Sequence, residues 1–293
     1  MLDLFLSEIS DSPLLMRDSA VQAVELIRHK LLNGEKIEVQ QPPVPKVVGS
    51  INPSEDYQGN PFDSYEENTI AVLPIIGNMF KYGRWYSYGV DDIANLLRLA
   101  NNSSKIIGVI LYMNTAGGTS QSVIQLEDAL RNRIKPCVAF IDGQCCSGGA
   151  YVASFCDQIV AANPMCEIGS VGVQITLRDF SKYYEDLGIK VKTFRPPASK
   201  YKNTEFEEAI NEDKPERLYD EVLTPFAEHF QAIIKSNRPQ LDTSIEGLVE
   251  GKVFYAQNAV DYGLIDVIGN YDAALTIVKD LAEKQQSFYS SFK

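Results

Sequence analysis

Short apolar runs alternate with amphipathic stretches along most of this chain. Residues 70–76 and 106–113 have the continuous apolar pattern of buried strands, and residues 123–134 have helical spacing, with Ile124, Leu126 and Leu130 as apolar positions. The same alternation predicts strands at 136–141, 158–161 and 190–194, and helices directly after Ser147 and at 179–187. Strands that alternate with helices build a largely parallel sheet, so the pattern predicts an α/β fold with a mainly helical C-terminal third, in which residues 214–235 are the longest piece.

Composition divides the chain into four parts. Residues 1–33 are predicted to be a helical appendage, because Val24, Ile27 and Leu31 share one face of a helix over 20–32. Residues 34–68 contain several prolines and no periodicity, which is typical of a linker or an extended arm. Residues 69–285 form the predicted main domain, and residues 286–293 a short C-terminal tail.

Charge and hydropathy exclude some classes of partner. The chain has 293 residues, 45% of them hydrophobic, and a net charge of −12, which argues against binding to nucleic acid or to an anionic membrane face. No apolar run approaches the length of a membrane span, and the first eight residues carry two acids and no basic region. We therefore predict a cytoplasmic protein without a secretory signal or a membrane anchor.

The five cysteines lie in one stretch between Cys137 and Cys166. They have no C-x-x-C spacing and no histidine nearby, so a zinc site is not expected. An odd, clustered set of this kind predicts reduced, buried cysteines.

Ser147 is the strongest candidate for chemistry. It follows a predicted strand and precedes Gly148 and Gly149, so its hydroxyl lies at the N-terminus of a helix where backbone N–H groups are unpaired. Such a serine suits a nucleophile, although a plain helix cap would have the same local sequence. A serine nucleophile needs a base, and the only histidines are His29, on the predicted appendage, and His229, on a helix expected to lie far from any glycine-rich turn. A Ser-His-Asp triad is therefore poorly supported, which leaves a Ser-Lys dyad.

A second glycine-rich segment, residues 114–119, follows the predicted strand at 106–113. A glycine pair there either makes a tight turn or directs an N–H group toward a ligand. In acyl transfer, the N–H groups of Gly118 and Gly148 would form the two halves of an oxyanion hole.

Five segments occur in the order and spacing of a known family: residues 114–118, 143–151, 169–173, the Lys200 region and 254–268. Together they resemble the signal peptide peptidase A family of Ser-Lys proteases in the Clp/crotonase superfamily. Within that family the chain is similar to the phage and prophage branch, the lambda-type minor capsid proteases, because it has a single protease unit and no membrane anchor. The similarity covers residues 70–282.

The resemblance implies a Clp/crotonase-like fold and a protease domain at 69–285 that acts on protein or peptide substrates without metal or cofactor. It makes Ser147 the nucleophile and Lys200 the general base, with Lys202 as the alternative, and it suggests that Ser170 orients the lysine. An ordinary lysine has a pKa near ~10.4, so a lysine base must be held neutral, usually by burial beside apolar groups.

The chain also departs from the family pattern. Ala116 replaces a proline in the turn before Gly118, and Pro196 and Pro197 precede the lysine, where small residues or glycine are usual. We expect these changes to loosen one turn and to stiffen the other, with no catalytic atom lost.

Residues 79–88 contain five aromatic side chains, including the only tryptophan. Such a segment fits either a partner surface or a loop packed on its own domain. The family builds active sites between neighbouring protease units, so the resemblance predicts a homo-oligomeric ring, with this segment at subunit contacts or along the substrate groove. Whether Ser147 and Lys200 meet within one subunit or across two stays open.

Two other classes share this fold. A crotonase-like acyl-CoA lyase or isomerase would use carboxylates and would not need Ser147. A catalytically silent structural or scaffold-binding protein would need neither Ser147 nor Lys200.

Overall fold

The computed structural model of the chain describes residues 14–16, 18–34, 59–83 and 89–292. The strands are β1 (Leu14–Met16), β2 (Thr69–Ile76), β3 (Ile106–Thr115), β4 (Gly117–Thr119), β5 (Cys137–Cys146), β6 (Gln158–Ala161), β7 (Glu167–Gly169), β8 (Val253–Tyr255) and β9 (Val267–Ile268). The α-helices are α1 (Asp18–Leu32), α2 (Val90–Asn102), α3 (Ser120–Arg131), α4 (Gly148–Ala153), α5 (Ser181–Asp186), α6 (Thr204–Asn211), α7 (Glu216–Leu218), α8 (Thr224–Asn237), α9 (Ala256–Asp261) and α10 (Tyr271–Ser290). Residues 219–223 form a π turn that joins α7 to α8.

A largely parallel sheet forms the centre of the molecule. Its main strands lie in the order β2-β3-β5-β6-β9, and all their pairings are parallel. The far end of β5 leaves β6 and pairs instead with β7, which pairs antiparallel with β8. This sheet, with helices packed against it, confirms the predicted α/β class.

The sheet is buried on both faces, as expected for a parallel sheet. Alternate residues of β3 point in opposite directions: Leu111 and Met113 enter the larger cluster, which includes residues of α2, α3 and α8, and Ile110 enters a smaller cluster with Val278 of α10. The continuous apolar pattern of the strands follows from this two-sided burial.

The helix predicted at 123–134 begins and ends three residues earlier, as α3. Of the three apolar positions named for this helix, Leu126 and Leu130 are fully buried, whereas Ile124 is 58% exposed. The apolar face of α3 passes through Val123 instead.

The strand predicted at 190–194 is wrong. These residues have no strand partner, and Val191 and Phe194 are 72% and 87% exposed. Alternating apolar and polar residues allow a strand, but a strand also needs a neighbouring sheet edge for its hydrogen bonds, and the fold provides none here.

Phe62 lies in the predicted linker and is nevertheless fully buried in the main core, in a 3₁₀ turn at Pro61–Ser64. Most of the linker lies outside the described residues, and the division of the chain into domains stays a prediction.

Candidate active site

Ser147 joins the end of β5 to the start of α4. Its backbone has φ 52° and ψ −118°, a conformation that favours glycine, and the residue is only 2% exposed. The Ser147 N–H donates to the carbonyl of Gly169 at 2.7 Å, which fixes the turn from outside the helix. A buried serine held in this conformation fits a functional position better than a plain helix cap.

The N-terminus of α4 presents backbone donors beside Ser147. The first bond within the helix runs from the Tyr151 N–H to the Ser147 carbonyl at 3.0 Å, so the N–H groups of Gly148, Gly149 and Ala150 have no carbonyl in a preceding turn. The Gly148 N–H belongs to the residue next to the Ser147 hydroxyl, as required for one half of an oxyanion hole.

The segment with Gly118 packs against this helix. A Cβ atom on Gly149 would lie 2.6 Å from Cγ2 of Thr115, so the start of α4 and the end of β3 are in direct contact. The Thr115 hydroxyl accepts from the Gly117 N–H at 3.1 Å and donates to the Gly77 carbonyl at 2.6 Å. The tertiary structure therefore brings the two predicted oxyanion segments together, as elements in contact.

Gly118 itself lies in the short strand β4. A Cβ atom on this residue would lie 1.8 Å from the Met79 carbonyl oxygen, so only glycine allows this approach. The sequence left a plain turn as an alternative for this segment, and the structure instead pairs it on both sides, with Met79 and with β1.

The turn at residues 169–173 lies directly against Ser147. Besides the bond to Gly169, the Ser147 hydroxyl lies 3.4 Å from the Gly172 carbonyl, its hydrogen-bond acceptor. Ser170 has φ 53°, and its N–H donates to the Lys252 carbonyl at 2.7 Å. The resemblance gave Ser170 of this turn a role in orienting the lysine, but the contacts of the Gly169 and Gly172 carbonyls with Ser147 were not predicted.

The two candidate lysines lie on a long exposed arm. No residue in 172–217 is buried, and we call this segment the lysine arm. Lys200 follows the 3₁₀ turn at Pro197–Ser199, and its Nζ lies 4.7 Å from the centre of the Tyr201 ring. Among the described residues, no hydrogen bond joins Ser147 to Lys200 or Lys202.

Hydrogen bonds and an ion pair within the lysine arm fix the backbone around Lys200 and Lys202. The Arg195 guanidinium donates to both carboxylate oxygens of Glu207, at 2.8 and 2.6 Å, and also to the carbonyl of Lys202. The hydrogen bonds from Arg195 lower the pKa of Glu207. The part of the lysine arm that carries Lys200 and Lys202 therefore has a defined conformation although its residues are exposed.

The prediction that His229 lies far from a glycine-rich turn is wrong. Its Nε2 lies 3.4 Å from the hydroxyl of Tyr151, which stands on α4, four residues after Ser147. The Tyr151 hydroxyl donates to Glu127 at 2.5 Å, and burial together with this bond raises its pKa well above the ordinary value. No bond links His229 to Ser147 among the described residues, and His29 is exposed on α1.

All five cysteines are buried, as predicted. Burial raises the pKa of Cys145, two residues before Ser147, so its thiol stays protonated and acts as packing.

The aromatic segment lies only partly within the described residues. Met79 and Phe80 are buried, which favours packing on their own domain, whereas Tyr82 is 44% exposed. The remaining aromatic residues, Trp85, Tyr86 and Tyr88, lie outside the described residues.

The sequence profile of peptidase family S49 matches residues 129–285, more than half of the chain and the part that carries Ser147 and the lysine arm. The chain belongs to this family of peptidases, which confirms the resemblance to the signal peptide peptidase A family.

Curated relatives agree with the family. The chain is similar to Protease 4 of Haemophilus influenzae, 25% identical over 224 residues, which cover 75% of this chain and 36% of the relative. It is also similar to Capsid assembly protease C of Escherichia phage lambda, 26% identical over 231 residues, which cover 75% of this chain and 51% of the relative. The chain thus spans about a third to a half of the length of these two relatives.

Among solved structures, the chain is similar to a mutant of the 1510-N membrane-bound stomatin-specific protease, with 15% identity and a TM-score of 0.48 over 73% of this chain and 86% of that one. The structure itself shows an α/β fold with a largely parallel sheet, as predicted. No helix within the described ranges is both long and apolar enough to cross a membrane.

Proposed function

We propose that the chain is a serine endopeptidase in which Ser147 is the nucleophile and Lys200 the general base. The observation that carries this proposal is the buried Ser147, held at φ 52° beside the N–H groups at the start of α4, which have no acceptor in a preceding helical turn. Membership of peptidase family S49 supports the same chemistry.

In the proposed reaction, the Ser147 oxygen attacks the carbonyl carbon of a peptide bond while the neutral amine of Lys200 takes the hydroxyl proton. The N–H groups of Gly118 and Gly148 hold the negative oxygen of the tetrahedral intermediate. The lysine ammonium then gives its proton to the leaving amine, and water hydrolyses the acyl-serine ester. No metal or cofactor takes part.

Ser170 is the proposed orienting residue for the lysine. It lies in the turn whose neighbours, Gly169 and Gly172, contact Ser147 through their carbonyl groups. A lysine that reached Ser147 would therefore pass close to this turn.

The lysine base requires a second copy of the chain in this proposal. A neutral lysine needs burial, and Lys200 is exposed in the single chain. The lysine arm also exposes large apolar side chains that none of the described residues covers: Phe180, Tyr183, Leu187, Ile189, Val191, Phe194 and Tyr201. A homo-oligomeric ring would cover this surface and place Lys200 against the Ser147 of a neighbouring subunit.

The proposed protease domain is residues 69–285, and the proposed location is the cytoplasm. The lambda relative is named a capsid assembly protease. We propose that this chain likewise processes capsid or scaffold proteins of a prophage, or cleaves peptides as signal peptide peptidases do.

Covalent labelling tests the nucleophile. A fluorophosphonate should modify wild-type protein at Ser147, and the Ser147→Ala variant should stay unlabelled at that peptide. Casein cleavage should be lost in Ser147→Ala and should fall by roughly 10²–10⁴-fold in Lys200→Ala, whereas Lys202→Ala, the matched control on the same loop, should stay near wild type. Equal cleavage by wild type and Ser147→Ala would reject the proposal, and it would favour an acyl-CoA enzyme or a silent protein of this fold.

Mixing tests the arrangement between subunits. If Lys200 acts on a neighbouring Ser147, a mixture of Ser147→Ala and Lys200→Ala subunits should regain part of the activity that each lacks alone. A monomer at micromolar concentration by light scattering would contradict the ring.

A further inference from the structure

The N-terminal strand of the chain pairs with the strand that carries Gly118. β1 (Leu14–Met16) runs antiparallel to β4 (Gly117–Thr119), with Leu15 opposite Gly118. We call Leu14–Met16 the self-strand. These two strands form a small sheet of their own, separate from the main sheet.

Hydrogen bonds on the other side of β4 fix the direction of the Gly118 groups. The Gly117 carbonyl accepts from the Met79 N–H at 2.8 Å, and the Thr119 N–H donates to the Met79 carbonyl at 3.1 Å. Polar groups of successive residues in a strand point to opposite edges. The N–H and carbonyl of Gly118 therefore face away from Met79, toward Leu15 of the self-strand.

This geometry brings the self-strand next to the Gly118 N–H, a proposed oxyanion donor. The Gly118 N–H is one of the two donors that would hold the substrate oxygen, and in this structure the Leu15 carbonyl lies on that side of the strand. An extended peptide that adds itself to an exposed strand edge is a common mode of peptide recognition. The self-strand uses this mode.

We propose that the outer edge of β4 binds extended peptides and that Leu14–Met16 is its resident ligand, an inhibitory segment that a substrate must displace. This inference rests on the proposed function, because it takes Gly118 as an oxyanion donor. A ladder of three residues contains few hydrogen bonds, so a protein substrate can compete with it.

Helix α1 holds the self-strand in place. It begins at Asp18, just after the strand, and Val21 and Val24 are 6% and 1% exposed. Glu25 of the same helix pairs with Arg178 of the lysine arm. The inhibitory segment is therefore tied to the segment that carries the proposed base, and both would move when a substrate enters.

A pair of proline variants in the full chain tests the inference. Leu15→Pro removes the N–H that faces Gly118, whereas Leu14→Pro makes the same chemical change at an N–H that points away from β4. In Leu15→Pro the Gly118 amide should exchange with deuterium faster than in wild type, and a fluorophosphonate should label Ser147 at least about threefold faster, because the competing state is removed. Leu14→Pro should resemble wild type in both measurements.

A peptide added in trans provides a second test of the inference. A synthetic peptide with the sequence of residues 11–18 should slow the labelling of Leu15→Pro, and the same peptide with proline at its Leu15 position should not. Equal labelling rates and equal amide exchange in wild type and Leu15→Pro would overturn the inference while leaving the peptidase proposal intact. If fluorophosphonate labels Ser147 in none of the variants, the proposed function fails and the inhibitory role fails with it.

Discussion

The backbone of Ser147 stores strain whose size can be measured. Its φ of 52° and ψ of −118° suit glycine, and a residue with a Cβ atom there costs about 1–3 kcal/mol. Ser154 ends the same helix and is a matched control, because it is buried to the same degree, 3% against 2% exposed, and has the ordinary angles φ −59° and ψ −22°. The comparison uses alanine and glycine at both positions, so that neither variant of a pair has a hydroxyl.

At Ser154, the step from alanine to glycine should destabilise the protein. Glycine loses about 0.5–1 kcal/mol more backbone entropy on folding, and the missing methyl group removes about 0.8 kcal/mol of apolar burial. The expected loss is about 1.5 kcal/mol. At Ser147 the same losses occur, but relief of about 2 kcal/mol of strain offsets them. The step there should be close to neutral or slightly stabilising.

Urea unfolding of the four variants at one protein concentration measures both steps. The predicted difference between them is about 2 kcal/mol, which corresponds to about 3 °C in Tm for a chain of this size. Entropy and methyl burial enter both steps equally, so the difference reports the strain. If glycine destabilises both positions by the same amount, Ser147 stores no strain and the argument from its conformation fails.

Three further changes test other parts of the structure. Asp266→Asn should destabilise the chain by about 3–5 kcal/mol in urea unfolding, because Asp266 holds the buried guanidinium of Arg238 at 3.0 and 2.8 Å, and a loss under about 1 kcal/mol would show the pair to behave as if exposed. Gly149→Ala should lower the free energy of unfolding by about 1–3 kcal/mol and slow Ser147 labelling, because the new Cβ would lie 2.6 Å from Cγ2 of Thr115. Adding Thr115→Ser removes that Cγ2 and should restore both stability and labelling. If it restores neither, the contact with Thr115 is not the cause. Burial, and then a hydrogen bond to a neighbouring carboxylate, raises the pKa of Tyr112 from 10.0 to about 12. The unfolded chain therefore loses this proton at lower pH than the folded chain, and the free energy of unfolding should fall as pH rises above 10. Tyr112→Phe should reduce that fall in urea midpoints measured between pH 9 and 11, and the same pH dependence in both proteins would contradict this account.

Local signals in the sequence account for much of the fold. The strand at Gln158–Ala161 occurs with the predicted bounds, and β2, β3 and β5 begin within one residue of their predicted starts. Helix α2 was not predicted, although its sequence carries a signal: Asp92 in the first turn accepts from the Gly89 N–H at 3.1 Å, as in a capping box. That helix could have been found from the sequence.

The sequence identified the candidate residues for chemistry: a serine at the end of a predicted strand, glycines after it, a second glycine pair and a lysine further along the chain. These are local patterns, set by the conformations and hydrogen bonds that each residue type allows. Tertiary packing alone brings Leu15 across from Gly118, the Gly169 and Gly172 carbonyls into contact with Ser147, and His229 to the side of Tyr151. Contacts of this kind join residues 22 to 103 positions apart, and they depend on how the whole chain packs around one sheet, which no local pattern specifies.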